Sequence, residues 1–296
     1  MGNDLLALAA ATCWAVGSLL SVTPSRHLGA FAFTRWRMLL VASMLSAMTW
    51  AVGGFETVAG AHIATMALSG LVGIFIGDTA LFAAMNRLGP RRTGVLFATN
   101  AVFSALLGIS ILDERMTPQA VVGACLTVCG VMIAIAFGQR RSESHGWEAD
   151  RGHAGLGIAL ALLAALSQAV GTLIAKPVMA EAMNPLTASA VRTAVGCGAH
   201  FVVLWLGLRA ARAQSPLTTR ILVQTGLSGL VGMALGMTLL LLALKRGDVG
   251  LVGVLSSVTP VLILPMLWLH LRRPPARGAW VGAVLTVIGT GLILSR

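Results

Sequence analysis

The stretch Ser69-Gly-Leu-Val-Gly73 recurs in the second half of the chain as Ser228-Gly-Leu-Val-Gly232. A shift of 159 residues aligns 69–130 with 228–289 without a gap, and 23 of the 62 aligned positions are identical. Chance matching in so biased a composition would give roughly a tenth of the positions. Repetition over this length predicts a duplicated structural unit.

The composition predicts that lipid is the solvent for most of the chain. Of the 296 residues, 57% are hydrophobic and 10% are charged, and the mean hydropathy is +0.87. Soluble domains carry roughly a quarter of their residues as Asp, Glu, Lys and Arg. The net charge of +11 would suit nucleic acid, but the basic residues lie in short loops between apolar spans, as the positive-inside rule describes. We therefore expect the lipid bilayer, and no nucleic acid, as a partner; the oligomeric state stays open.

Ten apolar segments are candidates for helices that cross the roughly 30 Å hydrocarbon core, which takes about 20 residues. They are Leu5–Val22, Phe31–Val52, Ala61–Met85, Gly94–Leu112, Gln119–Phe137, Ala154–Ala175, Leu186–Gly207, Ile221–Leu244, Val249–Leu271 and Ala279–Leu294, separated by polar or breaking clusters such as Pro24 to His27. The polar segment 138–153 lies near the midpoint and is predicted to link a first unit, 1–137, to a second, 154–296.

The predicted fold is an all-α integral membrane protein of ten transmembrane helices, arranged as two inverted five-helix repeats. The second copy must insert upside down because each unit has an odd number of spans. Inverted repeats of this kind are the architecture of many secondary transporters. Loops after odd-numbered spans, with the adjoining helix ends, collect 15 of the 21 Lys and Arg residues, which predicts that both termini lie outside the cytoplasm.

The first unit resembles the EamA-type members of the drug/metabolite transporter superfamily. The resemblance rests on Gly77-Asp-Thr79, Leu88-Gly-Pro-Arg-Arg92, Leu112-Asp-Glu-Arg-Met-Thr-Pro118, Gly123 and Gly130, and in the second unit on Ser256-Ser-Val-Thr-Pro260. The second unit departs from the first by carrying Arg272 and Arg273 where the first has Asp113 and Glu114. The resemblance implies two EamA-like repeats and the export of amino acids or other metabolites across the inner membrane. It also implies cytoplasmic termini, in conflict with the charge distribution.

Asp78 is the acid that falls well inside an apolar span. An ionisable group at membrane depth is costly unless it is paired or hydrated, so it marks a functional pathway by default. Two interpretations stay open: Asp78 binds a substrate amine or exchanges a coupled proton, or it has a structural hydrogen-bonding role, paired with an arginine.

Polar residues at repeat-related positions of the fourth and ninth spans are predicted to line a cavity. They are Thr99, Asn100 and Ser104 in the fourth span, and Ser256, Ser257 and Thr259 in the ninth. Pro260 and Pro265 should bend the ninth span and free carbonyl groups that need a polar partner. The alternative is ordinary hydrogen bonding between helices, worth about 0.6 kcal/mol per contact.

Further candidates lie in the first, sixth and seventh spans. Trp14, Ser18, Gln168 and Thr172 occupy matched faces of the first and sixth spans, and His200 lies mid-span, as a proton gate or as a neutral, hydrogen-bonded histidine. Arg37 and Arg192 align near the starts of the second and seventh spans; snorkelling to headgroups is the favoured interpretation, and contact with an anion is the alternative. Gly73-x-x-x-Gly77 and Gly232-x-x-x-Gly236 are typical of close helix packing.

Other function classes fit the sequence less well. Gly226-Leu-Ser228-Gly229 matches the Gly-x-Ser-Gly of rhomboid-type proteases, but its Ser-Gly is repeated at Ser69 and Gly70, which favours packing over catalysis. A passive channel should show rings of charge or carbonyl-rich filters, and a scaffold would need no polar residues at the midplane. Cys125 and Cys129 lack a nearby His or acid, so we expect no metal, and no phosphate-binding motif or other cofactor signature appears. We predict a non-enzymatic secondary transporter of a small molecule, with protons as a possible coupling ion.

Overall fold

The computed structural model describes residues 2–54, 60–137, 154–181, 183–259, 261–263, 265–266 and 277–294. The long elements within these ranges are α-helices: α1 Gly2–Leu28, α2 Ala30–Ala51, α3 Gly60–Gly89, α4 Arg92–Leu112, α5 Pro118–Ala136, α6 Ala154–Ala180, α7 Pro185–Trp205, α8 Thr219–Leu244, α9 Val249–Ser256 and α10 Arg277–Leu294. The predicted linker 138–153, Pro260, and the pair Arg272 and Arg273 lie outside the described residues.

Six of the described helices are long and apolar enough to cross a membrane, namely α1, α3, α4, α6, α7 and α8. Helices α5, α9 and α10 are shorter and also apolar. Large apolar side chains such as Trp50, Trp205 and Val287 are exposed on the outer surface. A soluble protein seldom exposes so much apolar surface, whereas lipid solvates it. The chain is therefore a multi-pass membrane protein whose described part is built from helices.

The first helix is longer than the sequence predicts. A break was expected at Pro24 to His27, yet α1 continues through Pro24 as far as Leu28. Proline is tolerated inside membrane helices because neighbouring groups satisfy the freed carbonyl. The turn falls instead at Gly29, whose φ of +81° suits glycine, and α2 begins at once at Ala30.

Glycine contacts hold the two C-terminal helices of the predicted repeats together. Helices α5 and α10 run antiparallel, with Gly123 against Gly289 and Gly130 against Thr286. A Cβ atom at Gly130 would lie 2.5 Å from the Thr286 backbone nitrogen, so the two backbones are in direct contact. Small residues permit this approach, which maximises dispersion contact where the hydrophobic effect is weak.

A second pair of glycine contacts joins the first helix of each predicted repeat to the third helix of the other. Gly17 of α1 lies against Gly232 of α8, and Gly171 of α6 lies against Gly73 of α3. In each pair a Cβ on the first glycine would lie 2.7 Å from the Cα of the second. The packing role predicted for the two Gly-x-x-x-Gly motifs is confirmed, and these contacts place helices of the two halves directly against each other.

Candidate functional site

Two π-helical segments mark the centre of the bundle. Leu71–Ile76 interrupts α3 and Gly229–Leu235 interrupts α8, and the 159-residue repeat superimposes 71–76 on 230–235. A π-helical turn is widened and rare, and it is frequently found at functional sites. Each segment contains one glycine of the close pairs, Gly73 or Gly232, so each lies against a helix from the other half.

Arg37 of α2 reaches from the first half to the π segment of the second. A Cβ on Gly232 would lie 3.0 Å from Arg37 Nη2, a tight contact, so the guanidinium packs directly against the glycine backbone. Arg37 Nη1 donates to Asp78 Oδ2 at 3.3 Å, forming an ion pair. The guanidinium carbon also lies 5.3 Å from the centre of the Phe82 ring, a cation–π distance. Only 7% of Arg37 is exposed.

Arg192 of α7 repeats this placement with the halves exchanged. A Cβ on Gly73 would lie 3.0 Å from Arg192 Nη2, as in the Arg37 and Gly232 contact. Arg192 Nη1 lies 3.4 Å from Met237 Sδ, although thioether sulfur is a weak acceptor. The residue is fully buried, and its Nε and Nη2 atoms have no hydrogen-bond partner among the described residues.

The snorkelling predicted for Arg37 and Arg192 is wrong. Both side chains are buried, and both point into the bundle rather than toward headgroups. The physical reason lies in the π segments of the opposite half, whose glycines lie directly against the two guanidinium groups. The arginine partner considered for Asp78 is present, and Asp78 interacts electrostatically with Arg192 as well as with Arg37.

Thr79 and His200 form a polar contact beside this ion pair. Thr79 Oγ1 lies 3.1 Å from His200 Nε2 and also donates to the Phe75 carbonyl. The imidazole is buried and makes T-shaped ring contacts with Phe75 and Phe31, at centroid distances of 4.8 and 5.9 Å. His200 of α7 is thus buried and in hydrogen-bonding contact with Thr79, the residue that follows Asp78 on α3.

The predicted polar residues of the fourth and ninth spans lie at two equivalent helix breaks. Ala98 and Thr99 form a turn inside α4, and Ser257 and Val258 form the repeat-related turn directly after α9. Discontinuous membrane helices at matching positions are the sequence-readable sign of a transporter binding site. Asn100 is buried at the first of these breaks.

The hydroxyl groups at these breaks mostly bond to their own helices. Thr99 donates to the Leu96 carbonyl at 2.6 Å, Ser256 to Gly253 at 3.0 Å and Ser257 to Val254 at 2.7 Å. Thr259 reaches further and donates to the Ala11 carbonyl of α1 at 3.2 Å. The polar cavity predicted between the two spans stays a prediction.

The remaining candidates lie along α1 and α6. The Trp14 indole covers Gly236, next in sequence to Met237, because a Cβ at Gly236 would lie 2.8 Å from Trp14 Nε1. Ser18 is half-buried on the same helix. Gln168 is buried on α6, and Thr172 donates to its carbonyl at 2.8 Å.

The residues of the protease hypothesis are engaged elsewhere. Ser228 donates to the Thr225 carbonyl of its own helix at 2.9 Å, and His200 Nε2 contacts Thr79. Within the part of the chain that the structure describes, no three His, Cys, Asp or Glu side chains form a group able to hold a metal ion. The polar chemistry of the centre is therefore that of an ion pair and a second buried guanidinium.

Comparisons with known proteins give a family and a fold. The chain matches the EamA-like transporter family over residues 1–136 and again over 155–295. It is similar to "Uncharacterized transporter YetK" of Bacillus subtilis (strain 168), 24% identical over 141 residues, which cover 47% of this chain and 41% of that relative. The chain thus spans less than half the length of the curated relative it matches. A solved crystal structure is 18% identical with a TM-score of 0.77, covering 98% of this chain and 96% of the other, so the two share a fold.

Proposed function

Because the chain belongs to the EamA-like transporter family of the drug/metabolite transporter superfamily, we propose that it is a secondary transporter that exports small organic metabolites, such as amino acids, by alternating access. The family supports transport and makes catalysis the poorer interpretation. The proposed location is the inner membrane, where an exporter of cytoplasmic metabolites would act.

The proposed layout is ten spans in two inverted repeats, 1–137 and 154–296 with the linker 138–153. Support comes from antiparallel packing between repeat-related helices: α5 with α10, and α4 with α9, where Gly108 lies near Gly250 and Ser104 near Gly253. Helices that are related by the repeat but opposite in direction are what an inverted second half would produce. Such halves rock against each other around a central site in secondary transporters.

The observation that carries the proposal is that each half places an arginine against the π segment of the other half. Arg37 of the first half contacts the π segment of the second, and Arg192 of the second contacts that of the first. A rocking motion of one half against the other would change both contacts together. The polar groups that a substrate would meet therefore lie on the surfaces that must separate and close.

We assign the coupling role to Asp78. Its carboxylate carries the negative charge that balances Arg37, and protonation would remove that charge and weaken the ion pair. Arg37 also lies against Gly232 of the second half, so protonation of its carboxylate partner would free the side chain that bridges the halves and link proton binding to conformation. Proton-coupled export follows from this assignment.

The test is transport in proteoliposomes loaded with a mixture of radiolabelled amino acids, with and without a pH gradient. We expect gradient-dependent movement by the wild type and its loss in Asp78→Asn, while Asp113→Asn, a change at an exposed acid, retains it. Asp78→Asn leaves the buried Arg37 without its counter-ion, which destabilises the fold. The double variant Asp78→Asn/Arg37→Gln removes both charges and is tested for the same loss of gradient-dependent transport.

Three results would count against the proposal. Gradient-dependent transport that survives Asp78→Asn would remove Asp78 from coupling. Ion conductance without substrate movement would favour a passive channel. Retention of every amino acid by vesicles containing folded wild-type protein would contradict amino-acid transport.

A further inference from the structure

The charge at the centre of the bundle is not symmetric between the halves. The repeat relates Arg37 to Arg192 and Asp78 to Met237. The first half therefore pairs its arginine with a carboxylate, whereas the second half places a thioether at the corresponding position. The two guanidinium groups and the Asp78 carboxylate, which interacts with both, carry a formal charge of +1.

One edge of the Arg192 guanidinium has no hydrogen-bond partner among the described residues. The Nη1 atom is directed at Met237, and the unpartnered edge consists of Nε and Nη2. Nε and Nη2 are adjacent on a guanidinium and form the side-on fork that binds a carboxylate with two parallel hydrogen bonds. A buried cation without a directly bonded anion is strongly unfavourable, so this edge is suited to a ligand that brings a negative charge.

We infer that Arg192 is the binding site for a carboxylate of the transported molecule, an inference that rests on the proposed transport function. The carboxylate would accept from Nε and Nη2 and bring the central cluster to neutrality. The edge is closed against Gly73 in this conformation, so the carboxylate enters when the halves separate at the Gly73 contact. Met237 keeps the second half free of an internal carboxylate that would compete for the guanidinium.

Arg37 shows why the site belongs to the second half. It occupies the repeat-related position and makes the same glycine contact, but Asp78 already neutralises it at 3.3 Å. The comparison also defines a variant: Met237→Asp would give Arg192 the partner that Arg37 has. Met237→Leu changes the same side chain without adding charge.

The experiment measures equilibrium binding by the full chain in lipid nanodiscs, read as ligand-induced shifts in melting temperature. The probes are the standard amino acids and their C-terminal amides, which differ at the carboxylate. We expect the wild type to be stabilised by at least one amino acid and not by its amide. Losing a bidentate, charge-assisted contact should weaken binding of that amino acid by about tenfold or more in Arg192→Gln.

The charge-substituted variants make the test independent of how well Arg192→Gln folds. Met237→Asp should raise the melting temperature without ligand and abolish the discrimination between acid and amide, while Met237→Leu should retain the discrimination. The inference is overturned if the wild type treats acids and amides alike, or if either Arg192→Gln or Met237→Asp keeps the wild-type preference.

Failure of this inference and failure of the proposed function have different signatures. A protein that binds carboxylates through Arg192 but moves none of them across proteoliposomes would contradict only the transport function. A protein that transports amides as fast as acids, with no effect of Met237→Asp, would contradict only the carboxylate site.

Discussion

Replacing Gly171 with alanine tests the close approach of the two halves. A Cβ at this position would lie 2.7 Å from Gly73 Cα, 3.0 Å from Gly73 N and 3.2 Å from the Ser69 carbonyl oxygen. All three atoms belong to the backbone of α3, so no side chain can rotate away. Carbon atoms pack best at about 3.5–4.0 Å, and the helices must therefore separate by about 1 Å.

The expected destabilisation follows from two opposing effects. Overpacking of a close interface costs about 1–3 kcal/mol, and alanine favours a helix over glycine by about 1 kcal/mol. Separation also stretches the hydrogen bond from Ser69 Oγ to the Gly171 carbonyl, which measures 2.5 Å. Such bonds in membranes contribute about 0.6 kcal/mol. We expect a net loss of about 1–2 kcal/mol in the free energy of unfolding.

Gly198→Ala is the matched control. Gly198 lies in α7, and a Cβ there would meet no atom within 4 Å, so this variant should be unchanged or more stable by up to about 1 kcal/mol. The assay is unfolding by SDS in mixed micelles, followed by tryptophan fluorescence. Equal stability of the Gly171 and Gly198 variants would refute the direct backbone contact between α6 and the π segment of α3.

Two further substitutions test contacts that the sequence did not reveal. Glu114 accepts from the backbone N–H groups of Val249 and Gly250 at 2.6 and 3.0 Å and so caps α9. Glu114→Gln should therefore lower the free energy of unfolding by about 1–2 kcal/mol. The control is Asp113→Asn at the neighbouring exposed residue, which should lower it by less than about 0.5 kcal/mol. Equal losses in the same SDS titration would argue against the cap. Ser69→Ala should destabilise by about 0.6 kcal/mol because its hydroxyl bonds across to α6, whereas Ser228→Ala, at the repeat-related position, should be near neutral because its hydroxyl bonds within its own helix. A larger loss at Ser228 would reverse this assignment.

The sequence predicted the helices well because length and apolarity decide them in a membrane. Each predicted span overlaps a helix of the described residues, and six of these helices are long and apolar enough to cross a membrane, while the ten-span layout stays a prediction. The resemblance to EamA-type transporters is confirmed by the family match. The error at Pro24 arose because proline normally signals a helix end in water, whereas in this protein the positive φ of Gly29 ends α1.

The site was less accessible to sequence reasoning. Asp78 was identifiable because an acid within an apolar span is rare, but its partner Arg37 lies 41 residues away and became evident only from the packing of α2 against α3 and α8. The π segments have no distinctive residue signature: Gly73 and Gly232 predicted close packing without indicating that each glycine makes room for an arginine. The alignment of Asp78 with Met237 was available from the repeat, yet its meaning depends on the burial of Arg192.

The accessibility of position 237 from the two faces of the membrane tests alternating access most directly. Met237 is 3% exposed and lies against the Arg192 guanidinium. A cysteine placed there, in a chain whose four native cysteines are replaced, would be treated with a membrane-impermeant thiol reagent from one face of sealed vesicles at a time. The account predicts labelling from both faces, with substrate and a pH gradient shifting the ratio between them. Labelling from one face alone, or from neither, would contradict it.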